Sequence, residues 1–161
     1  MRIGVISDTH DNTRSVARIV ELLRGARVER VIHTGDITRP DTLRVLAGLE
    51  VPLFGVYGNN DTERDALGRA AAEYGVVLAE PPLELRWAGR RITVVHDRSA
   101  HPALELSACE VLLHGHDHRY SLERVNGTLL FNPGECAGFL EGWNSVGVLD
   151  LTGLEPERLR F

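Results

Sequence analysis

Apolar residues follow two rhythms along this chain. Short β-type runs at Ile3 to Ile6, Arg30 to His33 and Leu53 to Tyr57 alternate with stretches in which apolar positions recur every three or four residues. Val16, Ile19, Val20 and Leu23 share one helical face, with Asp11 or Asn12 placed to cap and Gly25 just past the end, which predicts a helix from about Thr13 to Arg24. The same logic predicts helices over Asp41 to Leu49 and over Thr62 to Tyr74, the second rich in Ala and closed by Gly75. Strands alternating with helices in this way indicate βαβ units and a largely parallel sheet.

After Pro81-Pro82 the rhythm changes. Leu83 to Trp87 and Arg91 to Val95 flank Ala88-Gly89-Arg90, while Tyr120 to Val125 and Thr128 to Phe131 flank Asn126-Gly127, and both patterns read as hairpins. Ser145 to Leu151 and Glu157 to Phe161 predict two more strands, and Pro102 to Ser107 one short helix. The second half is therefore expected to be mostly antiparallel. Pro81-Pro82 reads as a turn rather than a boundary, giving one domain over residues 1–161.

A formal net charge of -5 works against broad phosphate neutralisation, so long nucleic acid is not an expected partner. A negative protein can still bind a small phosphate where a divalent metal supplies local positive charge. Cys109 and Cys136 are too few for a disulfide framework and read as reduced thiols. The apolar run at the N-terminus is too short for a signal sequence and no stretch is long enough to span a bilayer, so cytoplasmic residence without a membrane partner is expected.

The polar residues of chemical interest fall where apolar strands end: Asp8 and His10 after Ile6, Asp36 after His33, Asn59 after Tyr57, His96 after Val95, and His116 and His118 after Leu113. In open α/β sheets, side chains from separate loops converge at the carboxyl ends of the strands. Asp8-x-His10 and His116-x-His118 have i, i+2 spacing, which in extended backbone puts both side chains of a pair on one face. Mixed imidazole and carboxylate ligands suit Mn, Fe, Ni or Zn and do not choose among them. Taken singly, three of these residues have ordinary readings: Asp36 as a cap for the helix starting near Pro40, Asn59 with Asn60 as turn residues, and His96 as a core histidine. His101 is an alternative to His96, and His114 reads as a supporting or core residue. Arg39 and Arg98 are candidate phosphate contacts.

Asp8-Thr9-His10, Gly35-Asp36, Gly58-Asn59-Asn60-Asp61, His96 and Gly115-His116-Asp117-His118 together resemble the successive motifs of calcineurin-like metallophosphoesterases, over residues 1 to about 150. Asn132-Pro133-Gly134-Glu135 and the short chain resemble the small prokaryotic, YfcE-like phosphodiesterase branch. The resemblance implies an α/β fold, a four-layer αββα sandwich of two mixed sheets flanked by helices. It implies two divalent metal ions, Mn first with Ni, Fe or Zn as alternatives: Asp8, His10, Asp36 and His118 on one, and Asp36, Asn59, His96 and His116 on the other. Asp36 would bridge them, with a metal-held hydroxide attacking a small phosphodiester in line.

Two departures from the family pattern bear on this expectation. Asn60 stands where many relatives have His, which implies substrate positioning without a leaving-group acid and a preference for activated leaving groups. Asp97 stands where relatives usually have Gly. Two other readings compete: a non-catalytic interaction scaffold like the retromer subunit that resembles this family, and a phosphomonoesterase. Gly138-Phe139-Leu140 and Trp143 read either as an apolar contact surface for a homodimer or as a covered hairpin.

Overall fold

The computed structural model describes residues 1–139 and 142–161. Its first sheet runs β1 (Arg2–Ile6), β2 (Arg30–His33), β3 (Leu53–Val56) and β4 (Val77–Ala79), each parallel to the next. Three helices intervene: α1 (Thr13–Gly25), α2 (Pro40–Ala47) and α3 (Arg64–Tyr74). The predicted helices are therefore present with ends shifted by at most two residues, and β4 is a strand that the apolar pattern did not announce. Asn12 caps α1 by accepting from the Ser15 N–H at 3.1 Å, Pro40 opens α2 at a position where no amide donor is needed, and Gly75 closes α3 in the left-handed conformation.

The second sheet is built from β5 (Leu83–Trp87), β6 (Arg90–Val94), β7 (Val111–Leu113), β8 (Tyr120–Val125) and β9 (Thr128–Pro133), in the order β5-β6-β7-β9-β8. The expectation of a mostly antiparallel second half fails at the centre of this sheet, where β6, β7 and β9 are mutually parallel. Both hairpins are present, but their inner strands join through β7, a three-residue strand too short to show a period. Of the last two strands, β10 (Ser145–Asp150) returns to the first sheet antiparallel beside β1, and β11 (Glu155–Arg160) pairs antiparallel with β10 at the edge.

Strand alternation sorts the apolar residues into layers. Ile3 and Val5 of β1 and Ile32 of β2 face the second sheet, where they meet Ile92, Val94, Leu113, Leu129 and Phe131. Ile6 and Val31 face the other way, onto Val16, Ile19 and Leu23 of α1 and Leu43 and Leu46 of α2. Each such fully buried side chain contributes roughly 1.5–3 kcal/mol of apolar transfer. The architecture is thus helices, sheet, sheet, and a thin fourth layer. In place of the short helix expected near Pro102 to Ser107, that layer has two 3-10 turns, Arg98–Ala100 and Leu106–Ala108. Leu104 and Leu106 cover Val95, Leu112 and Leu130 there.

Parallel strands in both sheets end at the same edge of the sandwich. That shared edge brings the loops after β1, β2, β3, β6 and β7 together.

Candidate metal centre

The loop after β1 carries Asp8 and His10, and the loop after β2 carries Asp36. Asp8 and Asp36 are buried, and His10 and His118 are half-buried. His10 Nε2 lies 3.3 Å from His118 Nε2 and 3.5 Å from Asp36 Oδ2, while His118 Nε2 lies 3.5 Å from Asp8 Oδ1. On the other side of Asp36, His96 Nε2 is 3.5 Å from Asp36 Oδ2 and 2.9 Å from Asn59 Oδ1, and His116 Nδ1 is 3.0 Å from the same Asn59 oxygen. All seven residues predicted from the strand ends meet in this cluster. His101 does not: it follows the first 3-10 turn on the outer face of the second sheet. His114 is buried beside the cluster, its backbone bonded to Phe131, and burial pulls its imidazole below the usual histidine range.

The route to convergence is not the one the i, i+2 spacing suggested. Asp8, His10, Asp36, His116 and His118 all have positive φ, between 41° and 75°, so neither pair lies on extended backbone. Asp, Asn and His tolerate this left-handed region better than most residues, but it still costs roughly 1 kcal/mol at each position. Surrounding contacts hold the conformation. Asp61, buried, accepts from the Asp36 N–H at 3.0 Å, the Gly58 N–H at 2.6 Å and the Thr38 N–H at 2.7 Å, tying the β2 and β3 loops together. Asn132 donates to the Gly115 carbonyl at 3.1 Å and the Asp117 carboxylate at 2.6 Å, fixing the loop of His116 and His118. A Cβ at Gly115 would collide with Ser7 Oγ, and one at Gly58 would collide with the Asp36 carboxylate, so only glycine permits these loops to approach so closely.

His33 supplies a further tie. Its Nδ1 accepts from the Gly35 N–H at 3.1 Å, so its Nε2 carries the hydrogen and donates to Thr9 Oγ1 at 3.1 Å. Burial drives this imidazole down to about 3, so it stays neutral at ordinary pH. Sequence reading assigned no role to Asp61, Asn132, His33 or Glu135. Asp61 and Glu135 were visible only as members of motifs, and nothing in the pattern distinguished His33 from a strand-end residue.

The polar arrangement is short of a cation. His96 Nδ1 faces the Thr34 carbonyl at 3.0 Å and must carry its hydrogen there, yet Nε2 faces two further acceptors, Asn59 Oδ1 and Asp36 Oδ2. With Asn59 presenting its oxygen, a neutral imidazole leaves Nε2 facing acceptors without a hydrogen to give, and either a second proton or a metal there satisfies them. Burial disfavours the charged imidazole, but the Asp36 carboxylate outweighs it and raises His96 above its ordinary value. Asp36 shows the reverse balance: burial pushes it up, while hydrogen bonds from His96 and Asn60 prevail and hold it well below the usual carboxylate range. Asp8 is raised by burial, against the opposing Ser7 hydroxyl and histidines. Its Oδ2 accepts from Ser7 and from the His116 N–H at 3.1 Å, whereas its buried Oδ1 has no hydrogen-bond donor among the described residues. A buried acceptor left without a donor costs roughly 1–3 kcal/mol unless a cation meets it. Asp8, His10 and His118 form one group compact enough to hold an ion, and Asp8, Asp36 and His96 another.

The outer positions differ from expectation at Asn60. Its backbone N–H donates to Asp36 Oδ1 at 2.9 Å and its side-chain amide to Asp36 Oδ2 at 2.7 Å, so it clamps the shared carboxylate instead of reaching outwards. Arg39 pairs with Asp11 at 3.3 Å, and Arg98 lies on the groove beside His114 and His116. Phe139 and Trp143 are 64% and 65% exposed, Phe139 stacking on His118 with ring centres 6.0 Å apart; Leu140 lies outside the described residues. Among the described residues no helix is long and apolar enough to cross a membrane.

Known proteins carry the same arrangement of chain. A model of the calcineurin-like phosphoesterase superfamily domain matches residues 1–153. A phosphodiesterase of Methanocaldococcus jannaschii is 32% identical over 154 residues, which span 93% of this chain and 93% of that protein. The solved structure of an archaeal phosphodiesterase superposes with a TM-score of 0.91 at 28% identity, covering 100% of both chains. YfcE, a phosphoesterase from E. coli, shares the fold with a TM-score of 0.73 at 19% identity, over 99% of this chain and 98% of its own. A match extending over nearly the whole chain, on a fold whose strand ends gather carboxylates and imidazoles, places this protein in the calcineurin-like phosphoesterase superfamily.

Proposed function

We propose that the protein is a phosphodiesterase that hydrolyses small phosphodiesters with two divalent cations, Mn first among them, held by Asp8, His10, Asp36, Asn59, His96, His116 and His118. The observation that carries this reading is the His96 imidazole, hydrogen-bonded to a carbonyl through Nδ1 while Nε2 faces two more acceptors. The donorless Oδ1 of Asp8 makes the same demand on the other side of Asp36. Asp36 Oδ2 lies 3.5 Å from both His10 Nε2 and His96 Nε2, which supports a carboxylate shared between the two positions.

Bound divalent cations would polarise the phosphoryl oxygens and acidify the attacking water. The chain's own residues do the rest. Asp36, held ionised, and Asn60, which clamps it, keep the two ligand groups in register; His96 is held by Thr34. A net charge of -5 leaves the surface unfavourable to long polyanions, so attraction for phosphate is confined to the cleft. No side chain of the acid type stands at position 60, so leaving groups that depart without protonation are favoured.

The test is hydrolysis of bis-p-nitrophenyl phosphate by purified protein with added Mn, with EDTA, and beside p-nitrophenyl phosphate. The expected outcome is Mn-dependent turnover abolished by EDTA, faster on the diester than on the monoester, and faster on aryl than on alkyl diesters. A metal-loaded protein inert to every ester would instead favour the interaction scaffold, and a monoester preference would favour a phosphomonoesterase.

A further inference from the structure

Glu135 sits just past the end of β9, its backbone carbonyl accepting from the Ser145 N–H at 3.1 Å, and its side chain is 1% exposed. Its Oε2 lies 2.9 Å from Nδ1 of His118. A buried carboxylate is tolerated where a charge or a strong donor meets it, and here the imidazole edge does so.

The contact decides which nitrogen of His118 can act as a ligand. A carboxylate offers lone pairs only, so Nδ1 must carry the hydrogen, and the bare lone pair is left on Nε2. Nε2 is the nitrogen that points inwards, 3.3 Å from His10 Nε2 and 3.5 Å from Asp8 Oδ1. His118 itself lies on left-handed backbone at φ 57°, with Phe139 stacked on its ring face and Glu135 at its Nδ1 edge. The partner carboxylate therefore sets both the tautomer and the direction of the ring, and it raises the electron density available at Nε2.

Resting on the metal reading above, we propose that Glu135 is a positioning residue for the cation held by Asp8, His10 and His118, acting through His118 to fix Nε2 as its donor atom. Glu135 is not itself a ligand: its oxygen meets the far nitrogen of the ring. Replacing it by Gln keeps the shape but removes the charge, and lets the amide N–H₂ face Nδ1, which favours the wrong tautomer. A purely structural Glu135 would leave metal affinity unchanged when the protein is folded; a positioning Glu135 changes affinity even where fold stability is intact.

Titration of metal-free protein with Co²⁺ alone, followed by calorimetry and by the visible d–d absorption, separates these. For the wild type we expect two Co²⁺ per chain. For E135Q we expect one of the two phases weakened about 10- to 100-fold and its absorption bands shifted, with the other phase unchanged and the thermal midpoint of the metal-free protein close to wild type. Imidazole ¹⁵N NMR of metal-free wild type near pH 8 provides a second measurement independent of any variant, with His118 expected in the Nδ1–H tautomer. E135Q matching wild type in affinity and spectrum overturns the proposal while leaving the metal reading standing, and so does an Nε2–H tautomer at His118. Wild-type protein that takes up no Co²⁺ overturns both.

Discussion

Nε2 of His10 and Nε2 of His118 stand 3.3 Å apart although 108 residues separate them in the chain. Two imidazole nitrogens at that distance, with carboxylate oxygens of Asp8 and Asp36 each 3.5 Å from one of them, come together as a candidate ligand group only because the first and second sheets end at the same edge.

Asp36 and His96 should be indispensable where His101 is not. Asp36→Ala removes the oxygen that faces both ligand groups, so metal affinity should fall by more than the ~10- to 100-fold typical of supporting partners, and turnover should be lost with it. His96→Ala should behave alike, whereas His101→Ala should retain metal stoichiometry and rate. Metal content and bis-p-nitrophenyl phosphate turnover measured on the three variants check this. A His101 variant that loses metal while the His96 variant keeps it would reassign the ligand.

Asp61→Asn should impair the centre without touching it. The carboxylate accepts from the amides of Asp36, Gly58 and Thr38, and an asparagine must turn its N–H₂ towards at least one of those donors. A buried donor facing a donor costs roughly 1–3 kcal/mol, and the Asp36 and Asn59 loops would part. Urea denaturation and Mn affinity should both decline; unchanged values would show the loops to be held by other means.

Acid stability should carry the mark of His33. Its folded-state value is pushed down to about 3 by burial against an ordinary 6.5, so between these limits the unfolded chain holds a proton that the folded chain lacks. Stability therefore falls as pH drops from 6.5 towards 3, by up to about 1.4 kcal/mol per pH unit, with no contribution from this residue above 6.5. Chelator-treated His33→Asn should show a correspondingly shallower slope in denaturation midpoint against pH than wild type. Parallel slopes would contradict the buried neutral imidazole.

Gly147→Ala should destabilise the sandwich through Phe131. A Cβ on this β10 glycine would run into the edge of the fully buried Phe131 ring across the inter-sheet layer. Overpacking of this kind costs typically ~1–3 kcal/mol. Phe131→Leu in the same chain should recover part of it, giving a non-additive double-mutant cycle by thermal or urea denaturation. Additive effects would mean that the two positions do not press on one another.

Much of this was legible along the chain. The helical faces of Val16, Ile19, Val20 and Leu23 and the strands bearing Ile3 to Ile6 could be read because burial on one side enforces a period, and a period survives in one dimension. The candidate ligands could be read as well, since each stands at the end of an apolar run. β4 was hidden by its length, three residues being too few to show alternation; β7 was legible only as an apolar run ending at Leu113, and its pairing, with it the parallel centre of the second sheet, was not. Asn60 could be located but not oriented; whether an amide turns outwards or onto Asp36 depends on where a loop 24 residues earlier comes to rest.

By itself the sequence determined the chemistry that could assemble: which residues are carboxylates and imidazoles, and that they terminate apolar runs. Only the tertiary structure decided how they assemble. The left-handed backbone at Asp8, His10, Asp36, His116 and His118, the tautomers imposed on His33, His96 and His118, and the donorless oxygen of Asp8 are properties of packed loops. The reason is that ring orientation, tautomer and hydrogen-bond satisfaction are set by neighbours distant in sequence, and those neighbours are chosen only when the two sheets close on one another.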